Sequence, residues 1–400
     1  MRAHQPVRWL VAIQLIAMGA LEMSTPFWPL QLRKLGMVTT GSLAWSSGLI
    51  YAGPLLMAIL LTPIWGWLAD RTGHKPMLLR ALLALALTQF WIAQCSSVTL
   101  LIAARLVQGA LAGFIAAAQA YGTTLVAHDQ RGDLMARLQM ATATGSLVGP
   151  LLGGLLFDTV GFHTINLIAA LLCGSCVVLC WSRLPALHPG AALQATHATP
   201  VHPGHYLVGM LVGITLVQSA KMAPQIFFAV YAEQVLHATG WQIGLCYGAT
   251  AMGIVLCAPW WSRFFKRLAT PEILQRVELI CWTCAVLIAA QTFVHDTLLF
   301  LLLRLLWGIC LGALLPVFYT MLSLHTALHR QGHVLGLGNS AAKAGALLGL
   351  GIGSVALALL PPQHVFWPVA LTYLIAACGI RRLRRQPDVG QRAAAPSIPS

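Results

Sequence analysis

The sequence has few charged residues and very few acidic ones. Only 8% of its 400 residues are Asp, Glu, Lys or Arg, and 10 of these are acidic. An ordinary soluble domain has a charged fraction of about a quarter. Because 58% of the residues are hydrophobic and the mean hydropathy is +0.77, the composition excludes a soluble multidomain enzyme. It predicts a protein that lies in a bilayer.

What the chain does contain is a series of apolar runs of membrane-spanning length. A helix needs about 20 residues to cross the hydrocarbon core. The predicted spans are residues 9–31, 45–69, 77–95, 98–125, 136–158, 163–182, 206–233, 242–264, 273–293, 297–325, 334–360 and 364–380. The predicted fold class is therefore an all-α membrane protein with twelve transmembrane helices.

The excess of basic residues predicts how these helices are oriented. The chain has 24 Lys and Arg against 10 Asp and Glu, a net charge of +14. If both termini lie in the cytoplasm, 18 basic residues fall in cytoplasmic segments and only Arg33 and Lys34 fall outside. Cytoplasmic loops are enriched in basic residues, so we expect a multi-pass inner-membrane protein with both termini cytoplasmic. The charge then reflects topology and does not indicate binding to nucleic acid.

A long polar break divides the chain nearly in half. Residues 183–205 contain four prolines and four histidines and are predicted to form a cytoplasmic linker. This places one six-helix bundle at residues 1–182 and a second at 206–380, followed by a cytoplasmic tail at 381–400.

The two halves resemble each other at a spacing of about 199 residues. RLVQGALAG from residue 105 aligns with RLLWGICLG from residue 304, and GSLVGPLLG from 145 aligns with GALLGLGIG from 345. The same comparison places Glu22 opposite Lys221. Because six spans return the chain to its starting side, both copies run in the same direction. Many transporters are built from such repeats.

Three motifs carry a resemblance to a known family. GWLADRTGHKP at 66–76, between spans 2 and 3, resembles the G-x-L-a-D-r-x-G-r-[RK] signature of the major facilitator superfamily, with His74 in place of the usual basic residue. GSLVGPLLGG at 145–154 in span 5 is similar to the g-x-x-x-G-P-x-x-G-G motif of the twelve-helix drug/proton antiporters of that superfamily, and RLVQG at 105 resembles their R-x-x-x-G element. The counterpart of the loop signature in the second half, WSRFFKRLATP, is degraded.

The resemblance implies two bundles that rock around a central cavity lined by spans 1, 4, 7 and 10. It assigns a conformational latch on the cytoplasmic side to Gly66, Asp70, Arg71 and Gly73. In the span 5 motif, bare glycines allow close helix packing and the proline predicts a kink. The residues of this motif are Gly145, Gly149, Pro150, Gly153 and Gly154.

Charged side chains inside the spans are the candidate functional residues, because they are costly in lipid. Glu22, Arg105, Lys221 and Arg304 fall in the four cavity-lining spans. Glu22 is the carboxylate deepest in a span, so we predict that it carries the coupled proton with Arg105 beside it. A fixed ion pair at Glu22 and a structural role for Arg105 are the alternatives. The predicted substrate-binding residues are Lys221, Arg304, Gln218, Gln225 and Phe228. Pro26 and Pro224 also predict irregular backbone near Glu22 and Lys221.

The charge balance of the spans predicts the substrate class. Together with Lys343, the spans hold four cations against one deep carboxylate, which favours a polar or anionic metabolite over a lipophilic cation. The span 1 string LEMSTPFWPL is similar to that of siderophore exporters. We therefore expect a monomeric proton-coupled exporter of a small polar or anionic metabolite such as a siderophore, with protons, substrate and lipid as its partners and no cofactor or metal. The absence of a G-x-x-x-x-G-K-[ST] loop argues against ATP-driven transport.

Other functions stay open at this stage. Broad multidrug efflux is the main alternative, and import is compatible with the same motifs. A transporter-fold sensor or membrane enzyme would use the histidines that recur every four residues at His325, His329 and His333. No nucleophile and base pair is identifiable in the sequence, so an enzyme is not the predicted class.

Overall fold

The computed structural model describes residues 5–37, 39–111, 113–126, 130–185, 205–265, 267–324 and 331–385. Over these ranges the chain is helical. The helices are α1 (Gln5–Glu22), α2 (Trp28–Lys34), α3 (Thr40–Thr72), α4 (His74–Ala93), α5 (Val98–Leu111), α6 (Phe114–Thr123), α7 (Arg131–Arg183), α8 (His205–Met222), α9 (Pro224–Gln234), α10 (Gly240–Phe265), α11 (Thr270–Gln291), α12 (Thr297–Leu324), α13 (Gln331–Leu359) and α14 (Trp367–Arg384). Short 3₁₀ turns occur at Thr25–Phe27 and Pro362–His364.

Eleven segments of the described chain are long and apolar enough to cross a membrane. One of them, Asp133–Arg183, has 51 residues, about twice the length that a span needs. Inside α7 the backbone leaves the helical region at Gly161, with φ 75° and ψ 174°, a conformation that favours glycine. This residue lies between the predicted spans 136–158 and 163–182, so α7 contains two spans and the predicted total of twelve is reached. The break therefore lies in the predicted connection between these two spans. Pro150 lies inside the first of them, and the kink expected there stays a prediction.

Three spans are interrupted near their centres. In span 1, α1 ends at Glu22 and the 3₁₀ turn around Pro26 precedes α2; in span 7, α8 ends at Met222 and α9 begins at Pro224. The irregular backbone predicted beside both prolines is confirmed. Span 4 is also divided, between α5 and α6, where Gly113 has a φ of 101°. The sequence had predicted one continuous helix there.

The chain forms two compact units. Unit 1 comprises Met1–Ala195 with Phe228–Ala251, and unit 2 comprises Thr196–Phe227 with Met252–Ser400. These units differ from the predicted bundles at 1–182 and 206–380, since part of α9 and the first half of α10 group with the first half of the chain. The predicted bundle boundaries stay a prediction.

In unit 1, α1 and α7 meet backbone to backbone along the glycines of the span 5 motif. A Cβ on Gly145 would lie 2.9 Å from the Gly19 nitrogen, and one on Gly149 would lie 2.5 Å from the Gly19 oxygen. A Cβ on Gly153 would lie 2.7 Å from the Met23 carbonyl carbon. Real Cβ atoms do not approach so closely, so only glycine allows this contact. We call it the α1–α7 seam.

In unit 2, α8 and α13 meet in the same way, and the equivalence between the repeats can be read from these contacts. Gly145 and Gly149 face Leu15 and Gly19 in the first half, and Gly345 and Gly349 face Thr215 and Ser219 in the second. The spacing between equivalent residues is therefore 200 in spans 1 and 7. Glu22 corresponds to Met222, and the predicted equivalence of Glu22 with Lys221 is wrong by one residue, because the proline-containing breaks of the two spans differ in length.

The seam predicts that α7 does not tolerate a methyl group at Gly149. We expect Gly149→Ala to lower the stability of the protein, because overpacking of this kind costs about 1–3 kcal/mol. The measurement is the temperature at which half of the detergent-purified protein loses its monodisperse size-exclusion peak.

Gly174 in the second span of α7 is the matched control. A Cβ there would meet no other atom of the described residues within 4 Å, so Gly174→Ala should keep or slightly raise the transition temperature. Equal transition temperatures for the two variants would contradict the close contact at Gly149.

Candidate functional site

Glu22 and Arg105 come together in unit 1. Glu22 is the last residue of α1 and is half-buried. A Cβ on Gly149 would lie 2.8 Å from the Glu22 Cβ, so the seam places this carboxylate against α7. Glu22 and the Arg105 guanidinium of α5 interact electrostatically, and both also interact with Tyr51 of α3. The structure thus joins the two predicted proton-coupling residues and adds a third that was not predicted.

Arg105 is held by polar and aromatic groups. Its Nε donates a hydrogen bond of 3.2 Å to the Ile50 carbonyl oxygen, and its guanidinium also donates to the Gln108 side-chain oxygen. The Gln108 amide in turn donates to the Thr88 hydroxyl at 3.2 Å. The guanidinium lies 4.8 Å from the centre of the Trp28 ring, within the range of a cation–π contact. These contacts give a half-buried cation several partners besides Glu22.

Tyr51 and Tyr247 connect this cluster to the helix break and to α10. The Tyr51 hydroxyl donates to the Thr25 carbonyl oxygen at 2.5 Å, in the 3₁₀ turn after Glu22. Tyr51 and Tyr247 are also hydrogen-bonded through their side chains. The Tyr247 ring contacts Phe228 at 5.1 Å between ring centres. Sequence reasoning missed both tyrosines because neither is charged or part of a motif. The signal that could have found them is the polar hydroxyl group of a tyrosine inside an apolar span.

Lys221 lies with two glutamines on a half-exposed face in unit 2. Gln218, Lys221 and Gln225 are half-buried, whereas Ser219 and Ala220 between them are buried. The Gln218 side-chain oxygen has no hydrogen-bond partner within the described residues. This half-exposed face therefore carries one lysine and two glutamine side chains near the break between α8 and α9, and their role in substrate binding stays a prediction.

Arg304 and Phe228 differ from the other predicted substrate contacts because both are buried. Arg304 is 4% exposed, with its guanidinium 5.3 Å from the centre of the Trp307 ring and 5.7 Å from that of Phe300. The Trp307 indole donates to the Tyr373 hydroxyl at 3.0 Å. Phe228 is 0% exposed and belongs to unit 1. In this conformation neither side chain lines an open face, and their substrate roles stay predictions.

The predicted latch is described in part. Gly73 ends α3 and precedes α4 with a φ of 92°, and its amide donates to the Ala69 oxygen at 2.9 Å; this turn favours glycine. The Arg71 guanidinium lies 3.8 Å from the centre of the Trp67 ring. A Cβ on Gly66 would meet no atom of its own compact unit within 4 Å, and the latch role of Gly66 stays a prediction. Asp70 lies in α3, and its side chain falls outside the described residues.

The histidine cluster also falls largely outside the described part of the chain. His325 and His329 are not among the described residues, and of His333 only the backbone is described, in α13. In the part of the chain that the structure describes, no group of three or more His, Cys, Asp or Glu side chains is arranged to hold a metal ion.

A polar contact between α7 and α10 was not predicted. One carboxylate oxygen of Asp158 accepts from the Gly240 amide at 2.9 Å, and the other accepts from the Trp241 amide at 3.1 Å. Asp158 therefore caps the amino terminus of α10 from another helix. Beside it, a Cβ on Gly154 would lie 2.6 Å from the Gly240 oxygen. Arg33 at the end of α2 forms an ion pair with Glu233 of α9.

Comparison with known proteins agrees with this architecture. The family profile of the Major Facilitator Superfamily matches residues 10–290 and 276–399. The multidrug resistance protein MdtG of Yersinia enterocolitica is 26% identical, over 98% of each chain. The staphyloferrin B transporter of Staphylococcus aureus is 25% identical, over 94% of this chain and 91% of its own length.

Solved structures show the same fold. A bacterial homologue of the human lysosomal transporter Spinster, in an inward-facing unoccupied conformation, aligns with a TM-score of 0.75 at 12% identity and covers 99% of both chains. The human organic anion transporter MFSD10 aligns with a TM-score of 0.65 at 16% identity, over 95% of this chain and all of its own. The relatives and structures named here are transporters and not enzymes.

The cap at Asp158 leads to a prediction about local opening of α10. We expect Asp158→Asn to weaken the cap by about 1 kcal/mol, because the variant loses the negative charge and one acceptor. This corresponds to about fivefold faster hydrogen exchange in a peptide covering residues 240–243, measured by mass spectrometry.

Asp296 supplies the control, because it caps its own helix, with Leu299 donating to it at 2.8 Å. Asp296→Asn should speed exchange at the start of α12 and leave α10 unchanged. Unchanged exchange at residues 240–243 in the Asp158 variant would show that the contact contributes nothing to α10.

Proposed function

This chain belongs to the Major Facilitator Superfamily, a family of multi-pass membrane transporters, and we propose that it is a proton-coupled exporter of a small anionic metabolite of the siderophore type. The observation that carries the proposal is the cluster of Glu22, Arg105 and Tyr51 at the broken centre of span 1. The inner membrane as its location and a cytoplasmic position of both termini belong to the same proposal.

The proton-coupling part rests on the surroundings of Glu22. The carboxylate lies where α1 ends, beside a half-buried cation and a tyrosine that is hydrogen-bonded to the same helix break. When Glu22 is ionised, it compensates the charge of Arg105. When Glu22 is protonated, its attraction to Arg105 is lost, and this changes the interactions that hold the 3₁₀ turn and α7 next to it. A proton at Glu22 is thereby linked to the packing of α1 against α7, which is what coupling to a conformational change requires.

The substrate part rests on the cations of the spans. Lys221, with its neighbouring glutamines, presents positive charge and amide groups on a half-exposed face, and a carboxylate or hydroxamate is the complementary ligand. A lipophilic cation would be repelled by the same face. The name of the Staphylococcus aureus relative supports a siderophore as substrate.

Multidrug efflux is the second candidate, and the name of the MdtG relative supports it. The large apolar content of the spans suits hydrophobic drugs. The two functions differ in what Lys221 does: it selects the substrate in an anion exporter and contributes little in an exporter of cationic drugs.

The first test concerns the proton. We expect Glu22→Gln to abolish uphill transport of staphyloferrin B driven by a pH gradient in proteoliposomes, because an amide side chain does not bind and release a proton. Exchange of substrate without a gradient should persist at a measurable rate.

Glu272→Gln is the matched control, since Glu272 is an exposed carboxylate at the start of α11. This variant should retain gradient-driven transport. Full uphill transport by Glu22→Gln would show that the coupled proton binds elsewhere.

The second test concerns selectivity. We expect Lys221→Gln to weaken binding of staphyloferrin B by roughly 10- to 100-fold, because a charge-assisted hydrogen bond contributes about 1.5–3 kcal/mol. Binding of ethidium, a lipophilic cation, should be unchanged or stronger. Binding of both ligands is measured by titration calorimetry on the purified protein.

Lys343→Gln is the control, because Lys343 is exposed on α13. It should leave both affinities near the parental values. If Lys221→Gln binds staphyloferrin B as the parent does, the charge argument for an anionic substrate fails and multidrug efflux becomes the better assignment.

A further inference from the structure

A groove of about 340 Å³ lies between residues 7–15 of α1 and residues 137–144 of α7. Its lining residues are Val7, Arg8, Val11, Leu15, Arg137, Met140, Ala141 and Thr144. It therefore has two guanidinium groups, one hydroxyl group and otherwise apolar walls. Its volume is in the range of small-molecule sites, which is about 300–1,000 Å³. We call it the Arg8–Arg137 groove.

The charges of the groove favour an anion. Arg8 is exposed. Arg137 forms an ion pair of 2.8 Å with Asp133 one turn earlier in α7, and its side chain stays 50% exposed. One carboxylate against two guanidinium groups leaves a net positive charge. A guanidinium presents paired N–H donors that match the two oxygens of a carboxylate, and the apolar walls suit an organic body attached to that carboxylate.

The groove lies on the same helix contact as Glu22. Arg8, Leu15 and Glu22 are spaced by seven residues in α1, about two helical turns, so they share one face. On α7, the lining ends at Thr144, next to Gly145, the first glycine of the α1–α7 seam. The Arg8 and Glu22 positions are about 21 Å apart along α1, from fourteen residues at about 1.5 Å each.

This shared face indicates that the groove opens to water. Glu22 is half-exposed on it, and a carboxylate that faces hydrocarbon is strongly unfavourable. Met140 in the groove wall is 63% exposed, so a ligand can reach the wall directly.

We propose that the Arg8–Arg137 groove binds a small amphipathic carboxylate and forms an anion-capture site ahead of Glu22 on the transport route. This rests on the proposed export of an anion. The two guanidinium groups bind the carboxylate, and the apolar walls contact the body of the molecule. Such a site raises the local concentration of the anion, which can increase association rates by about 10- to 1,000-fold. An anionic phospholipid headgroup is the other ligand of similar chemistry, and the experiment separates the two.

The first arm tests whether the groove is wet and electropositive. Met140→Cys is labelled in inside-out vesicles with two water-soluble thiol reagents, anionic methanethiosulfonate ethylsulfonate and its cationic trimethylammonium analogue, with the parent protein labelled in parallel as background. We expect the anionic reagent to react faster. The further changes Arg8→Gln and Arg137→Gln should lower the anionic-to-cationic rate ratio about tenfold. Absence of labelling, or a ratio that does not change, would overturn the proposal.

The second arm measures ligand binding. We expect the purified full-length protein to bind 7-methoxycoumarin-3-carboxylate, followed by fluorescence anisotropy, and to bind neutral 7-methoxycoumarin much more weakly. Arg8→Gln with Arg137→Gln should weaken binding of the carboxylate about tenfold or more and leave the neutral probe unchanged. Arg183→Gln is the matched control, because that guanidinium lies over the Trp9 ring at 5.2 Å and not in the groove. No binding of the carboxylate by the parent protein, or equal binding by the double variant, would overturn the proposal.

Nanodiscs of different lipid composition test the alternative that the groove binds an anionic phospholipid headgroup. In nanodiscs of phosphatidylcholine alone, the parent should bind the carboxylate, and added phosphatidylglycerol should compete weakly. If phosphatidylglycerol displaces the probe fully from the parent at a low mole fraction, the groove is a lipid site and the proposal is wrong. Proton-coupled export is tested with Glu22→Gln, and anion binding in the groove is tested with the Arg8 and Arg137 variants. Because the two proposals are tested with different variants, the failure of one can be distinguished from the failure of the other.

Discussion

The backbone contact between α1 and α7 is the constraint on which the first compact unit depends. Three glycines at a spacing of four residues leave one face of α7 without side chains, and the backbone of α1 occupies that face. In lipid, helix association relies on close van der Waals packing more than on the hydrophobic effect. Glycines strengthen this packing because they let the two helix backbones approach closely. The same contact positions Glu22 and forms one wall of the Arg8–Arg137 groove.

A neighbouring face of α7 contacts α10. Gly154 lies against Gly240, a Cβ on Gly244 would meet Gly154, and Asp158 caps the amino terminus of α10. Gly153 and Gly154 are successive residues, so the faces of α7 that contact α1 and α10 are about 100° apart. A change in the tilt of α7 would therefore alter both contacts.

The two repeat-related arginines have diverged in their surroundings. Both are positioned by aromatic rings, Arg105 by Trp28 and Arg304 by Phe300 and Trp307. Arg105 also interacts with Glu22 and Tyr51, whereas Arg304 is almost fully buried. A cation in a span needs compensation. The cluster around Arg105 contains a titratable carboxylate, and for that reason the proposed proton coupling is assigned to it.

The sequence by itself determined the membrane class, the number of spans, the broken helices beside Pro26 and Pro224, and the glycine face of α7. Each depends on composition or on spacing within one helix, and such local patterns are readable without a structure. Tertiary structure decided which residues meet across helices: Tyr51 and Tyr247 at Glu22, the cap at Asp158, the burial of Arg304, and the correspondence of Glu22 with Met222. Contacts between helices depend on how every helix is rotated and shifted against its neighbours. The break of span 1, at residues 23–27, is longer than that of span 7, at Ala223, and such a difference changes which residues correspond without changing any motif.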